Sequence, residues 1–347
     1  MPGSGTGRAV DGGGALPVRC AVIGGGAWGT AIADRLARNG HPTVLWARED
    51  DVVEAVNTRH ENPRFLANIA LAPSLVASTD MGAALRGAQL VVYAAPSHVL
   101  RPVVASGVPS IEPHAVLSVA TKGIERETLA LMTDVVADAA PGHAVVAVSG
   151  PSFAAEVAQG QPTAVVAACA DHAAAKLVQR AMSANAFRVY TSDDVVGVEL
   201  GGALKNVMAV ATGILDGLGL GFNPRAALMT RGLAEMTRLG VALGAQADTF
   251  AGLAGLGDLV LTCTGALSRN RAVGVAIGQG QSLEQALAGK DSVAEGVLNT
   301  QSAKALADKV GVEMPIIDAT YRILFQNWAP RDAVAELMAR ELRPERD

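Results

Sequence analysis

The amino-acid sequence predicts an α/β protein whose N-terminal part holds a mostly parallel sheet and whose C-terminal part is all α-helix. Two observations carry this prediction. Up to about residue 191, short apolar runs rich in Val alternate with stretches rich in Ala and Leu. From there to about residue 340, helical patterns separated by Gly and Pro contain no convincing strand. Continuous apolar strands that alternate with helices are typical of a parallel sheet covered on both faces.

Seven apolar runs are predicted to be strands. Each run is short and contains β-branched residues, which favours a strand over a buried segment of helix. In chain order they are VRCAVIG (18–24), TVLWA (43–47), QLVVYAA (89–95), AVLSVA (115–120), AVVAVSG (144–150), TAVVAA (163–168) and FRVYT (187–191).

Three segments follow from this pattern. Residues 1–17 are rich in Gly and lack an apolar signal core, so they are expected to be a disordered tail rather than an export signal. Residues 18–191 are expected to form the α/β domain. Polar residues including Asp194 then give a plausible helix start, and residues 192–340 are expected to form a helical domain.

The bulk composition favours a large aliphatic core. Of the 347 residues, 50% are hydrophobic but only 3% are aromatic. The net charge of −5 argues against a nucleic-acid or membrane-surface binder, because such proteins normally have a basic face. No stretch approaches ~20 uninterrupted apolar residues, so no membrane span is expected. The expectation is a cytoplasmic enzyme.

Neither a disulfide framework nor a metal site is expected. The three cysteines are odd in number and form no CxxC pair, and the runs around Cys20 and Cys169 suit buried free thiols. The six His are scattered, and no acidic cluster has the spacing of metal ligands.

The stretch GGGAWG, directly after the first predicted strand, is the strongest local signal for a cofactor. Gly24, Gly26 and Gly29 satisfy GxGxxG and run straight into a helical pattern, which is the context that the motif needs. Gly24 permits a tight turn, Gly26 lets the backbone approach a pyrophosphate, and Gly29 permits close helix–strand packing. The helix N-terminus would face the phosphates. We therefore expect a dinucleotide-binding domain of the Rossmann type.

The end of the second predicted strand bears on the choice of cofactor. A strictly NAD-dependent site usually has an acidic residue there, about 20 residues after the glycines, but here Arg48 comes first. A guanidinium can pair with a 2′-phosphate and stack on adenine, unless Arg48 is simply a solvated surface residue. Glu49 and Asp50 keep NAD open. The expected cofactor is NADP(H) and/or NAD(H).

Three further strand ends, AAPS (94–97), ATKG (120–123) and SGPS (149–152), carry small or turn residues. In an open parallel sheet, ligands lie outside the C-terminal ends of the strands. We therefore expect Lys122 to be functional rather than a surface lysine.

The stretch ELGGALKNVMA is an unusual helix. Glu199, Gly202, Lys205, Asn206 and Ala209 would share one face. Adjacent glycines would let a flat group such as a nicotinamide ring lie against the helix. A lysine in apolar surroundings has a lowered pKa, which suits proton transfer. The alternative is a packing pair of glycines beside a snorkelling lysine.

A later stretch, AGLAGLGDLVLTCTGALSRNRAVG, contains one acid, Asp258, which would orient Lys205 or a hydroxyl. Ser268 is a good N-cap. A helix that starts with Arg269 and Asn270 is an expected phosphate or carboxylate site. The alternative is a capped surface helix with solvated arginines.

Taken together, six segments resemble the bacterial NAD(P)-dependent glycerol-3-phosphate dehydrogenases. They occur in the family's order, are specific as a set, and cover about residues 18 to 340. The segments are VIGGGAWGTAIA (22–33), ATKGIE (120–125), SGPSFAAEV (149–157), ELGGALKNV (199–207), GLAGLGDLVLTCTGALSRNRAVG (252–274) and VAEGV (293–297).

The resemblance implies sn-glycerol 3-phosphate and dihydroxyacetone phosphate as the substrate pair, and a role in supplying glycerol 3-phosphate for phospholipid synthesis. It makes Lys205 the proton acceptor, with Asp258 in the same site. The substrate residues that it implies are Lys122, Gly150, Ser152, Lys205, Asn206, Asp258, Ser268, Arg269 and Asn270. The cofactor residues are Gly24, Gly26, Ala27, Trp28, Gly29, Arg48, Lys122, Ala154, Arg269, Val293 and Glu295, of which Glu295 is expected on a loop.

Two rival functions remain open at this point. Dehydrogenases of β-hydroxy acids or of ketopantoate also pair a nucleotide domain with a helical domain and use a lysine, although the helix start at Ser268 favours a phosphorylated substrate. A non-catalytic redox sensor would have no reason to combine Lys205, Asp258 and Asn270. The sequence leaves the oligomeric state open, and a homodimer is one outcome.

Overall fold

The computed structural model describes residues 16–288, 294–342 and 344–345. Within these residues the chain forms eight strands and sixteen α-helices. The strands are β1 (Cys20–Ile23), β2 (Thr43–Trp46), β3 (Val76–Ser78), β4 (Leu90–Tyr93), β5 (Val116–Val119), β6 (Val145–Ser149), β7 (Thr163–Ala168) and β8 (Phe187–Ser192).

The α-helices lie between the strands in the first half of the chain and follow one another in the second half. They are α1 (Ala27–Arg38), α2 (Asp50–Arg59), α3 (Met81–Leu85), α4 (Leu100–Gly107), α5 (Met132–Ala139), α6 (Ala154–Ala158), α7 (His172–Met182), α8 (Val195–Gly217), α9 (Phe222–Ala242), α10 (Ala247–Phe250), α11 (Asp258–Thr264), α12 (Arg269–Gly278), α13 (Leu283–Leu287), α14 (Glu295–Val310), α15 (Pro315–Phe325) and α16 (Pro330–Met338). Short 3₁₀ turns cover Ser97–Val99 and Val108–Ser110, and a π-helical turn covers Leu253–Gly257.

All eight strands form one sheet in the order β3-β2-β1-β4-β5-β6-β7-β8. Neighbouring strands pair in parallel, except that β6 and β7 are antiparallel. The first six positions have the strand order of the Rossmann fold, whose ligand crevice opens where the order reverses, between β1 and β4. The predicted fold class, a mostly parallel sheet followed by helices, is confirmed.

The edge strand β3 was not predicted from the sequence. It has three residues, and Val76 at its start is 52% exposed, so it gives no apolar run. The seven predicted strands are all present, but most of them are shorter than the apolar runs. For example, the run 18–24 contains β1 only at Cys20–Ile23, because its last residue already belongs to the glycine turn.

Apolar side chains cover both faces of the sheet. Side chains alternate along a strand, so Cys20 and Val22 join the core on one face, while Ala21 and Ile23 join the core on the other. This two-sided burial explains why the strands read as continuous apolar runs.

Helix α8 is the central element of the helical part. The side chain of Asp194 accepts a hydrogen bond from Gly197 N and so caps the helix. By length and composition α8 could cross a membrane, but 89% of its most apolar window is buried inside the protein. It is therefore the core helix around which α9, α11, α12 and α14 pack.

Helices α8 and α12 approach to backbone contact. Gly213 faces the carbonyl oxygen of Arg271, and Gly274 faces that of Val210, so a Cβ at either glycine would overlap the opposite helix. Glycine makes this approach possible because it has no Cβ. The close contact fixes the position of the start of α12 along the axis of α8.

Candidate active site

The glycine turn after β1 forms an open cradle at the start of α1. Gly24 has φ +128°, and a Cβ on it would lie 2.9 Å from the backbone of Ala94. A Cβ on Gly29 would overlap Gly24 O, whereas nothing lies within 4 Å of the corresponding position on Gly26. Since Gly26 also caps α1 without a side chain, no side-chain cap occupies the first N–H groups of that helix. These features fit a dinucleotide pyrophosphate.

Trp28 and Arg48 are two further residues that the sequence places at the nucleotide. Trp28 lies in the first turn of α1, next to Ala27, and its Nε1 is buried without a partner among the described residues. Arg48 follows β2, and its side chain is 83% exposed, with one contact of 3.1 Å to Glu49. The guanidinium is therefore accessible to a 2′-phosphate.

A buried carboxylate joins two lysines at the C-terminal edge of the sheet. Lys205 Nζ donates to Asp258 Oδ1 at 2.6 Å and to Thr262 Oγ1 at 2.7 Å. Lys122 Nζ donates to Asp258 Oδ2 at 2.6 Å and to Gly150 O at 3.1 Å. The three charged residues come from the turn after β5, from α8 and from α11, and the tertiary fold brings them together.

The electrostatics of this cluster favour proton transfer at Lys205. Burial lowers the pKa of Lys205 to about 8, an effect that Asp258 opposes and that the charge of Lys122 reinforces. Lys205 is only 7% exposed and Asp258 is 0% exposed, so water screens their interaction poorly.

The glycines of α8 do not leave room for a flat ligand, and that prediction is wrong. A Cβ on Gly201 would overlap Ala254 O, and one on Gly202 would lie 2.5 Å from Ser149 Oγ. The glycines instead let the π-helical turn and the end of β6 pack directly against α8. This close packing is what brings Asp258 and Lys122 to Lys205, which is buried in an ion pair and does not snorkel.

The loop after β6 surrounds Lys122. Gly150 has φ +140°, and its carbonyl oxygen accepts from both Lys122 Nζ and Ser152 Oγ, the latter at 3.0 Å. Ala154 is the first residue of α6. The structure thus places Gly150 and Ser152 beside the lysine–carboxylate cluster.

The start of α12 carries a guanidinium close to the helix N-terminus. Ser268 caps the helix by accepting from Arg271 N at 3.2 Å. Arg269 is exposed and makes no hydrogen bond within the part of the chain that the structure describes. A free guanidinium beside unpaired helix N–H groups can bind a phosphate.

The side chain of Asn270 makes two contacts within the protein. Its Nδ2 donates to Asn206 Oδ1 at 2.9 Å, and its Oδ1 accepts from Gly296 N at 2.9 Å. Asn206 and Asn270 therefore link α8, α12 and α14, and Asn206 is the neighbour of Lys205 on α8.

Glu295 is the first residue of α14, so the expectation of a loop is wrong. Its carboxylate accepts hydrogen bonds from Ser97 N at 3.0 Å and from Ser97 Oγ at 2.5 Å. Burial raises the pKa of Glu295, and the hydrogen bonds from Ser97 oppose that shift. Val293 lies outside the described residues.

Two residues of the site were not singled out from the sequence. Thr262 binds Lys205, and the four-residue spacing from Asp258 on one helix was an available signal. Ser97 stands at the end of the AAPS segment, but nothing local indicates a partner 198 residues away.

Comparisons with known proteins agree with this geometry. A model of the N-terminus of NAD-dependent glycerol-3-phosphate dehydrogenase matches residues 19–175, and a model of its C-terminus matches residues 194–335. Glycerol-3-phosphate dehydrogenase [NAD(P)+] of Citrifermentans bemidjiense is 53% identical over 94% of this chain and 98% of its own.

Solved structures give the same result. Glycerol-3-phosphate dehydrogenase of Coxiella burnetii is 41% identical, with a TM-score of 0.90, over 93% of this chain and 99% of its own. A ketopantoate reductase of Ralstonia eutropha, 15% identical with a TM-score of 0.57, covers 91% of this chain and 99% of its own but shares the fold alone. The chain therefore belongs to the NAD(P)-dependent glycerol-3-phosphate dehydrogenases.

Proposed function

We propose that this protein interconverts sn-glycerol 3-phosphate and dihydroxyacetone phosphate, with residues 18–191 binding the cofactor and residues 192–340 completing the substrate site. The observation that carries the proposal is the buried Lys205–Asp258–Lys122 cluster. Family membership supplies the substrate pair, and Arg269, which makes no hydrogen bond among the described residues, supports a phosphorylated one.

Lys205 is suited to move the hydroxyl proton. A neutral lysine has two N–H groups, and the contacts to Asp258 and Thr262 orient both of them. The lone pair then remains to accept the proton of the secondary alcohol. When bound, the nicotinamide accepts or supplies the hydride. In the reverse direction protonated Lys205 returns the proton to the ketone oxygen.

Lys122 and Arg269 have complementary roles. Lys122 uses two of its three N–H groups on Asp258 and Gly150, so the third can bind the substrate oxygen and stabilise negative charge there. Arg269 and the start of α12 bind the phosphate. Asn270 contributes by holding α12 against α8 through Asn206.

The direct test is loss of NADPH absorbance on addition of dihydroxyacetone phosphate, with dihydroxyacetone and NADH in parallel. Rapid oxidation with the phosphorylated ketone alone would support both the reaction and the phosphate site. Oxidation of NADPH only with ketopantoate, or reduction of NADP+ only with 3-hydroxyisobutyrate, would replace the substrate assignment.

The Arg269→Ala variant is expected to use the phosphorylated ketone poorly. Losing hydrogen bonds between charged groups costs about 1.5–3 kcal/mol, so the KM for dihydroxyacetone phosphate should rise about 10- to 100-fold. Steady-state kinetics with unphosphorylated dihydroxyacetone are the control and should change little. An unchanged KM for the phosphorylated ketone would count against a phosphate site at α12.

The pH dependence should differ between the two directions. Reduction needs protonated Lys205, so its rate should fall as the pH rises through about 8, while oxidation needs the neutral amine and should rise over the same range. Profiles of kcat measured with saturating substrates would show this. Profiles of the same shape in both directions would remove Lys205 from the proton transfer.

The Arg48→Ala variant is expected to lose affinity for NADPH but not for NADH, since only NADPH has the 2′-phosphate. Because Arg48 is largely exposed, the rise in the NADPH Kd should be about 10-fold. Fluorescence titrations with both cofactors measure the ratio. An equal effect on both would indicate that Arg48 contacts a shared group.

On the same family basis we propose a cytoplasmic location, a role in supplying glycerol 3-phosphate for phospholipid synthesis, and a homodimer. Light scattering after size-exclusion chromatography would measure the mass of the assembly.

A further inference from the structure

The start of α14 is joined to the end of β4 at one buried point. Ser97 N donates to Glu295 Oε1 at 3.0 Å, and Ser97 Oγ donates to Glu295 Oε2 at 2.5 Å. Ser97 is 6% exposed and stands in the 3₁₀ turn directly after β4, at the edge where the cofactor crevice opens. Ser97, in the nucleotide-binding part, thus donates one hydrogen bond to each carboxylate oxygen of Glu295, in the helical part.

A second contact lies one turn further along α14. Asn299 is fully buried, and its Oδ1 accepts from Ile124 N at 3.3 Å while its Nδ2 donates to Ala203 O of α8 at 3.4 Å. Residues four apart share one face of a helix. Glu295 and Asn299 therefore present one face of α14 to the turns that follow β4 and β5.

A glycine lets these two contacts lie side by side. A Cβ on Gly123 would lie 2.7 Å from Ser97 Cβ and 3.1 Å from Asn299 Oδ1. Gly123 directly follows Lys122, so the segment held by α14 is the one that carries the lysine bound to Asp258.

The same turn of α14 also contacts the first turn of α12. Gly296 N, the next residue after Glu295, donates to Asn270 Oδ1 at 2.9 Å in the first turn of α12. The first turn of α14 therefore contacts both the edge of the cofactor crevice and the helix that begins with Arg269.

We propose that Ser97, Glu295 and Asn299 form an interdomain clasp that holds the cofactor crevice in register with Lys122 and with the start of α12. Ser97 and Glu295 are positioning residues in this scheme. They act on the alignment of hydride donor and acceptor, and the kinetic part of the inference rests on the proposed function. Misalignment by about 1 Å can lower a rate by about 100-fold.

Four variants test the clasp: Ser97→Ala, Glu295→Gln, the double variant, and Thr133→Val as a matched control. The control removes the same kind of contact elsewhere, because Thr133 N and Oγ1 both donate to the buried carboxylate of Glu199. Ser97→Ala and Glu295→Gln should each lower kcat for ketone reduction at least about 10-fold, and Ser97→Ala should change the NADPH Kd less than about two-fold. The double variant should be no worse than the poorer single variant.

Thr133→Val should lower the stability to urea without changing kcat. A rise in the NADPH Kd on Glu295→Gln, with kcat unchanged on Ser97→Ala, would overturn the clasp and make Glu295 a direct cofactor ligand. Loss of stability alone in Ser97→Ala, as in the control, would also overturn it.

The clasp and the proposed reaction can fail separately. If the wild-type protein reduces no ketone, the proposed reaction is wrong. The clasp is then tested by urea unfolding of the wild type, Ser97→Ala, Glu295→Gln and the double variant. Coupling of about 10-fold in the unfolding equilibrium constant would support the clasp. Additive effects would overturn it.

Discussion

Replacing Lys205 by Ala is expected to lower turnover by about 10²–10⁴-fold, the usual contribution of general acid–base catalysis. Lys205 is held by Asp258 and Thr262, and burial lowers its pKa to about 8. Among the described residues, the other group that contacts Asp258 Oδ1 is the hydroxyl of Thr262. A hydroxyl is far less basic than an amine, so Thr262 cannot replace Lys205 as the proton acceptor. The measurement is kcat for reduction of dihydroxyacetone phosphate, with the NADPH Kd measured separately by fluorescence.

The cofactor Kd should remain close to the wild-type value, since the glycine cradle lies on α1 and not on α8. Lys205→Met, which keeps the bulk of the side chain, should behave like Lys205→Ala. Lys176→Ala, at an exposed lysine of α7, is the matched control and should retain wild-type turnover. Near-normal turnover in Lys205→Ala would remove Lys205 from the chemistry.

The second large effect is expected for Asp258→Asn, which should lower the free energy of unfolding by about 3 kcal/mol. The side chain of Asp258 is 1% exposed and is the counter-ion of both Lys122 and Lys205. Its neutralisation leaves the buried ammonium of Lys205 and the part-buried ammonium of Lys122 near each other without a carboxylate. Urea unfolding at neutral pH measures the loss.

The loss should depend on pH. In the variant the pKa of Lys205 falls further below the wild-type value of about 8. As the pH rises from about 6 to about 8, the folded variant sheds a proton that its unfolded state keeps, so its stability increases relative to wild type. Asp308→Asn is the control, because Asp308 is 62% exposed and its pair with Lys304 should contribute at most about 1 kcal/mol. If the difference in unfolding free energy between Asp258→Asn and wild type stays constant with pH, this account of the two lysines is contradicted.

The local signals in the sequence were sufficient for the fold class and for the cofactor cradle. The spacing of Gly24, Gly26 and Gly29 predicts a turn whose geometry depends on three missing side chains, and the structure has that geometry. The helix start at Ser268 was likewise readable, since an N-cap is a contact between residues three apart.

Other features could not be read from neighbouring residues. The short edge strand β3 has no apolar run, because an edge strand buries little of its surface. The two glycines of α8 signalled a close approach, but not whether a ligand or the protein itself fills the space. Glu295 looked like a loop residue because a helix that begins with Ala-Glu-Gly has no strong start signal.

The sequence by itself determined the alternation of strands and helices, the glycine cradle and the identity of the charged residues, because these depend on local periodicity, backbone freedom and side-chain chemistry. Only the tertiary structure decided which charges meet. Asp258 lies 53 residues from Lys205 and 136 from Lys122, and Glu295 lies 198 from Ser97. Such pairings arise when close packing of α8 against the sheet and the other helices removes water from both partners, and no local pattern in the chain encodes that distance.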